Sequence, residues 1–205
     1  MDTYADFDSL KRKEKEGEDY LILFRKTEAP LAVMAPHGGG IEPGTVDIAD
    51  AVAGEEHSFY AFKGIKPTGN RVLHLASNRF DEPRGRAIAR NARIVLSIHG
   101  CKGAEETVFV GGRNEPLIDR IRNRLNAAGF HAVIPRTPGL QGQDPENLCN
   151  QCRSGQGVQL ELSRGLRDAL FPGLSRRSRR NKTPLFDRFI TALRTALGSE
   201  RPGQV

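Results

Sequence analysis

The sequence predicts one α/β domain, in which helices pack against a mixed, mostly parallel sheet. Short apolar runs suited to strands alternate along the chain with segments whose apolar residues recur at helical spacing, the pattern of a sheet covered by helices. The 205 residues suffice for one core and leave little for a second. Two of the apolar runs end in histidine followed by glycine, at His37 and His99, where open α/β sheets bind their ligands.

Eight segments are predicted to be strands because each is a short apolar or alternating run bounded by turn-forming or charged residues. They cover residues 20–24, 31–36, 58–62, 71–76, 93–98, 106–110, 131–134 and 157–162. The run 31–36 is apolar throughout, which favours a strand buried on both faces.

Four segments show helical spacing, at residues 45–53, 83–91, 115–128 and 185–197. The third is the best marked, because Asn114 is suited to cap it, Pro116 fits its first turn and Gly129 ends it. The stretch 136–157 is rich in glycine and polar residues and is longer than ordinary connections. It is therefore predicted to be a lid or a substrate-binding loop.

The whole chain, residues 1–205, is interpreted as one domain with a charged N-terminal segment at 1–18 and a disordered tail at 198–205. The charges in the first segment exclude the apolar centre of a signal peptide, and no apolar run approaches the roughly twenty residues of a transmembrane helix. We therefore expect a cytoplasmic monomer that does not contact a membrane.

His37, Glu42 and His99 form a candidate metal site. His37 closes an apolar run and precedes three glycines, Glu42 follows five positions later, and His99 ends a second apolar run. Two imidazoles and one carboxylate, with a position left for water, are a ligand set of catalytic zinc. A single histidine at a strand end is as readily a packed or capping residue, so this interpretation depends on the grouping.

The chain lacks residues that two other classes of protein with a similar glycine motif require. His-Gly-Gly-Gly also forms the oxyanion hole of lipases and esterases, but these enzymes need a Gly-x-Ser-x-Gly nucleophile motif. That motif is absent, and the segment 153–157, Arg-Ser-Gly-Gln-Gly, has the wrong spacing. A phosphate-binding loop would need Gly-Lys-Ser/Thr after its glycines, whereas 41–43 reads Ile-Glu-Pro.

The net charge of +6 and the isoelectric point near 9.5 indicate an anionic partner. The densest basic cluster is the segment 176–182, with four arginines and Lys182, and it is predicted to be an exposed loop before the last helix. Nucleic acid and an anionic polymer both fit this charge. The cluster lacks the interleaved aromatic residues of a single-strand stacking platform, so nucleic acid is the less favoured partner.

Cys149 and Cys152 have the spacing of half a zinc ribbon, but no second pair exists to complete a structural site. We expect free thiols or an incidental disulfide there. His74 falls within a predicted strand and is expected to be a structural histidine.

Six phrases resemble the phage and bacillar poly-γ-glutamate hydrolase family, zinc enzymes related in fold to the zinc carboxypeptidases. The likeness extends from about residue 4 to residue 197, and the phrases at 35–45 and 157–163 are long and specific. The others are at 73–77, 80–83, 97–101 and 110–113. The resemblance implies a zinc-carboxypeptidase-like fold, zinc as the cofactor, poly-γ-glutamate as the substrate and, in a phage context, release by cell lysis.

The resemblance also implies roles for individual residues. It identifies His37, Glu42 and His99 as zinc ligands and Glu161 as the general base, although spacing alone places Glu161 only on the polar face of an alternating strand.

Three arginines are candidates for substrate binding, and two other functions are possible for the chain. Arg79, Arg136 and Arg164 are predicted to bind substrate carboxylates, because they are the nearest arginines in sequence to the site and guanidinium binds carboxylate in two bonds. A zinc carboxypeptidase or deacylase of small acyl-amino acids and a basic nucleic-acid-binding protein remain the alternatives.

Overall fold

The computed structural model describes residues 2–198. Within them, seven strands form one sheet in the order β1-β3-β2-β4-β7-β5-β6. The strands are β1 (Tyr20–Arg25), β2 (Leu31–Gly39), β3 (Ser58–Gly64), β4 (Ile94–Gly100), β5 (Thr107–Gly112), β6 (His131–Val133) and β7 (Val158–Leu162).

The centre of the sheet is parallel. Strands β3, β2, β4 and β7 run in one direction, and β6 pairs parallel to β5. The two antiparallel pairs are β1 with β3 and β5 with β7. The predicted mixed, mostly parallel sheet is therefore confirmed.

Helices cover both faces of this sheet. They are α1 (Phe7–Lys11), α2 (Thr45–Ala53), α3 (Pro83–Asn91), α4 (Glu115–Ala127), α5 (Arg164–Leu170) and α6 (Pro184–Leu197). The apolar side chains of α2, α4, α5 and α6 share one core with Val33 of β2, while α1 and α3 share the other with Met34. The four predicted helices are confirmed. Helices α1 and α5 were not predicted, because so few turns give no clear periodicity.

The prediction of a strand at 71–76 is wrong. Residues Asn70–Leu73 form a 3₁₀ turn, and the chain continues from it without pairing to the sheet. Leu73 and Leu75 are nonetheless buried in the core beside α3. Alternating apolar residues indicate that one side of a segment is buried. A segment can be buried in this way without pairing to a strand.

The prediction of an exposed loop at 176–182 is wrong for Arg179. Its side chain is buried, donates to the carbonyl of Leu174 and lies 3.5 Å from Asp47 of α2. Lys182 pairs with the same carboxylate at 3.1 Å. Arg176 and Arg177 are exposed, although Arg176 donates to two backbone carbonyls.

The charged N-terminal segment contributes to the core. Phe7 and Leu10 of α1 are buried, so the charged segment 1–18 is part of the folded domain. Gly198 caps α6, and the rest of the tail predicted to be disordered lies outside the described residues. No helix within 2–198 has the length and apolarity needed to cross a membrane.

Candidate metal centre and its two clefts

His37, Glu42 and His99 meet at the carboxyl ends of β2 and β4. A tight turn returns Glu42 to His37, whose carbonyl oxygen accepts a hydrogen bond from the Glu42 amide at 2.8 Å. Gly39 permits this turn: its φ is 68°, and a Cβ there would lie 2.2 Å from the carbonyl oxygen of Gly64.

A β-bulge brings the two histidines to one face of the sheet. In the pairing of β2 with β3, Ala35 faces Ala61 and Gly38 faces Lys63, so β2 contains one extra residue in between. Strict alternation would place His37 on the same face as Ala35, away from His99. The extra residue reverses the alternation and places the imidazole of His37 beside that of His99, with ring centroids 4.9 Å apart.

The spacing of the donor atoms of the three residues lies within about 0.3 Å of the spacing of tetrahedral zinc ligands. The two Nδ1 atoms are 3.0 Å apart, and Glu42 oxygens lie 3.2 Å from Nδ1 of His37 and 3.6 Å from Nδ1 of His99. Tetrahedral zinc with bonds of about 2.0 to 2.2 Å separates its ligand atoms by roughly 3.3 to 3.6 Å. These three residues, which can hold a metal ion by their geometry, therefore fit zinc.

The outer partners orient each ligand. Nε2 of His37 lies 2.7 Å from the carbonyl oxygen of Leu75, which can only accept, so Nε2 carries a proton and the neutral ring presents its Nδ1 lone pair inward. Nε2 of His99 lies 2.8 Å from Oγ of Ser97, and this oxygen can accept a hydrogen bond from Nε2. A Glu42 oxygen accepts from the Gly100 amide at 2.9 Å.

The electrostatics of this site favour a positive charge between the ligands. Burial by itself lowers the pKa of His37, but Glu42 outweighs burial and raises that pKa. Burial likewise opposes ionisation of Glu42, yet His37 and His99 hold the pKa of its carboxyl well below the usual range. Two Nδ1 lone pairs 3.0 Å apart repel each other unless a proton or a metal ion lies between them. A bound cation can therefore take the place of a proton on Nδ1 of His37, while Nε2 keeps its own proton.

Glu161 is buried beside these ligands, whereas spacing alone placed it only on the polar face of its strand. It faces His99 across the β4–β7 pair and is 8 % exposed. Burial, and then the charge of Glu42, raise the pKa of Glu161 well above its usual range. Nε2 of Gln159 donates to Glu161 at 3.1 Å, and Asn147 donates to Gln159 at 2.9 Å, so hydrogen bonds fix this carboxyl in place.

His74 also lies in the site, although the sequence suggested only a structural histidine. Its ring packs on that of His37 with centroids 4.1 Å apart, and its Nδ1 lies 2.8 Å from Asp2. The pattern of the sequence gave no sign of this contact, because the segment was interpreted as a strand.

Two clefts open from the metal centre, and both are lined by Glu42, His74 and Glu161. The first, called the amide cleft, has a volume of about 330 Å³. Its polar wall includes Asn78, Gln143, Asp144, Asn147 and Gln159. Much of this wall comes from the stretch 136–157, at the place expected of a substrate-binding loop.

The second, called the basic cleft, has a volume of about 440 Å³. Four cationic side chains line it: Arg71, Lys102, Arg164 and Arg167. The sequence singled out Arg164 among these and missed Arg167, which lies six positions after Glu161 without any recognisable motif.

The other two predicted arginines lie elsewhere. Arg79 pairs with Asp2 at 2.8 Å, and Arg136 is exposed. Neither lines the amide cleft or the basic cleft, so their contact with a substrate stays a prediction.

The cysteine pair takes no part in this centre. Cys149 and Cys152 are buried free thiols, which agrees with the first of the two expected states and not with a disulfide.

Known proteins resemble this chain over nearly its whole length. A family model described as poly-gamma-glutamate hydrolase matches residues 4–192. The chain is 37 % identical over 179 residues to UPF0714 protein YndL of Bacillus subtilis (strain 168), covering 87 % of this chain and 70 % of that protein.

Two solved structures have the same fold. The structure of a bacteriophage poly-gamma-glutamate hydrolase superposes with a TM-score of 0.94 at 34 % identity, covering 97 % of this chain and 98 % of that one. The zinc-free form of YndL superposes with a TM-score of 0.92, with the same identity and coverage.

Proposed function

Because this chain belongs to the poly-γ-glutamate hydrolase family, we propose that it is a zinc-dependent hydrolase that cleaves the γ-glutamyl amide bonds of poly-γ-glutamate. One observation carries the proposal. A buried carboxyl group, Glu161, lies opposite His99 in the sheet, beside a set of donor atoms that fits zinc. A metal site with an adjacent base is what hydrolysis of an amide by water requires.

His37, Glu42 and His99 hold the metal in this proposal. Bound zinc supplies a Lewis acid for the scissile carbonyl and lowers the pKa of water from about 15.7 towards 7. The zinc-free form of YndL superposes on this chain, which supports zinc as the metal. The carbonyl of Leu75 and the hydroxyl of Ser97 keep the two imidazoles in the orientation that presents Nδ1.

Glu161 moves the proton. Its carboxylate accepts a proton from the attacking water as the new carbon–oxygen bond forms, and it returns that proton to the amine nitrogen as the carbon–nitrogen bond breaks. The products are a free γ-carboxyl group and a free α-amino group. Burial raises the pKa of Glu161, which makes its carboxylate a stronger base than an ordinary one.

Incubation with the polymer tests this function. Purified protein that carries zinc should shorten poly-γ-glutamate, with new amino groups appearing in proportion to the bonds cut. A chelator should abolish the reaction, and added zinc should restore it. Absence of new amino groups with the zinc-loaded protein, under conditions where its fold is intact by circular dichroism, would refute the proposed substrate.

A further inference from the structure

The amide cleft and the basic cleft meet at the metal centre. Glu42, His74 and Glu161 belong to both. An extended substrate with its scissile bond at the metal centre can therefore place one arm in each cleft. The side chains that would contact the two arms differ in charge.

Positive charge is confined to one of the clefts. Among the described residues that line the amide cleft there is no lysine or arginine, and Asp144 adds a negative charge. The basic cleft has four cationic side chains, and its negative charges are the shared Glu42 and Glu161. A metal ion bound to Glu42 offsets the charge of that carboxylate, which leaves the basic cleft strongly cationic.

Arg167 makes the basic cleft a rigid binding site for carboxylate. The residue is 5 % exposed, and its guanidinium donates to the carbonyl oxygens of Leu162, Pro43 and Cys101 at 3.1, 2.9 and 2.9 Å. These bonds use three of its five N–H groups. One N–H on each terminal nitrogen has no protein partner among the described residues, so the fixed guanidinium keeps two donors and a positive charge for a carboxylate.

Gly100 provides the space for this arginine. A Cβ on Gly100 would lie 2.7 Å from Cζ of Arg167. The glycine that follows His99 therefore lets a buried guanidinium lie beside the metal centre.

We propose, on the basis of the proposed function, that the basic cleft is a subsite for the α-carboxylates of poly-γ-glutamate on one side of the scissile bond. Every residue of the γ-linked polymer carries such a carboxylate. Arg167 binds the one nearest the metal, and Arg71, Lys102 and Arg164 bind or attract the next ones along the chain. The amide cleft holds the other arm by neutral hydrogen bonds. The enzyme therefore senses substrate charge on one side of the bond that it cuts.

Two matched substrates test this asymmetry. They are γ-glutamyl oligomers in which the α-carboxylates on either the amino side or the carboxyl side of one central bond are converted to carboxamides, and the product masses report which bond is cut. For the wild-type protein, kcat/KM should fall by about tenfold or more with only one of the two, as expected when charge-assisted hydrogen bonds are lost.

The enzyme variant R71Q/K102Q/R164Q removes three exposed charges from the basic cleft. Its discrimination between the sensitive carboxamide and the unmodified oligomer should be several-fold smaller than that of the wild type, because Arg167 alone remains to bind carboxylates in the basic cleft. The control R90Q/R120Q/R124Q removes three exposed charges that line neither cleft and should keep the wild-type discrimination. Discrimination of full wild-type size in the R71Q/K102Q/R164Q protein, or equal sensitivity of the wild type to both substrates, overturns the inference.

A binding measurement separates this inference from the proposed function. Calorimetry of the same oligomers with zinc-loaded E161Q protein needs no turnover. One-sided loss of affinity that becomes clearly smaller in the combined E161Q/R71Q/K102Q/R164Q protein supports the subsite even if the wild-type protein fails to hydrolyse the oligomers. Such a failure would count against the proposed function alone. Equal affinity for all three oligomers overturns the subsite.

Discussion

His99 and Glu161 lie directly opposite each other on the adjacent parallel strands β4 and β7. The sheet register itself therefore sets the position of the proposed base relative to a metal ligand. A slip of one residue in this pair would turn Glu161 into the opposite core and remove it from the site. The flanking pairs hold the register through apolar side chains, among them Leu96, Leu160 and Ile98.

The metal ligands give the first prediction. Purified protein should carry about one zinc per chain, and H37A or H99A should lose it, because two remaining ligands bind zinc weakly. The matched control is H131A, which removes an exposed histidine of β6 and should keep its zinc. Elemental analysis gives the metal content, and full zinc in both ligand variants would contradict the assignment.

Replacement of the proposed base separates proton transfer from metal binding. E161Q keeps the shape of the side chain but cannot accept a proton, so its zinc content should equal that of the wild type while kcat falls by roughly a hundredfold or more. Elemental analysis and polymer hydrolysis are measured on the same sample. Normal activity would make Glu161 a structural residue, and loss of zinc would make it a ligand.

Ser97 should contribute to zinc affinity without touching the metal. Its hydroxyl lies 2.8 Å from Nε2 of His99, and loss of such an outer partner typically weakens metal binding about 10- to 100-fold. Competition with a chromogenic chelator should show this for S97A. S58A, which removes a buried hydroxyl from β3, should leave zinc affinity unchanged, and equal affinities in the two variants would argue against the role of Ser97.

Asp2 should stabilise the fold in a pH-dependent way. It accepts from the Ala76 amide at 2.7 Å and contacts His74 and Arg79, each at 2.8 Å. Burial opposes ionisation of Asp2, but these partners outweigh burial and lower its pKa below the ordinary value. The unfolded chain therefore binds the proton more readily, and the stabilisation is present above the unfolded pKa of about 3.9 and is lost as pH falls through the folded value.

We accordingly expect D2N to lower the free energy of unfolding by about 1 to 2 kcal/mol at pH 7, with a smaller difference at pH 4 than at pH 6. Urea denaturation at several pH values measures it. D8N changes an aspartate whose ion pair with Lys11 is exposed and should change stability little. A D2N effect that grows as the pH falls would contradict the lowered pKa of Asp2.

The arginines of the segment 176–182 should separate into structural and dispensable residues. R179Q removes a buried guanidinium from Leu174 and Asp47 and should lower the free energy of unfolding by about 1 to 3 kcal/mol. R177Q changes an exposed side chain and should leave it within about 0.5 kcal/mol. Chemical denaturation compares the two, and equal stabilities would restore the interpretation of this segment as a solvated loop.

Local patterns in the sequence were sufficient for most of the fold and for the candidate ligands. Apolar runs and helical spacing predicted all seven strands of the described sheet and four of its six α-helices, because burial imposes a period on each segment separately. His37 and His99 were recognisable because each ends an apolar run beside glycine, and Glu42 because it follows His37 closely. Such signals lie within a few residues of each other, where sequence spacing and distance in space agree.

The tertiary structure decided what depends on residues distant in the chain. The bulge in β2 places His37 on the face of His99, and the pairing of β4 with β7 buries Glu161 beside both. The contact of His74 with His37 and the placement of Arg167 next to Gly100 follow from loop paths that no periodicity records. The sequence by itself determined which chemical groups the site contains, since ligand chemistry belongs to residue type. Register and long-range packing determined their distances and charges, because these arise only when separate segments meet.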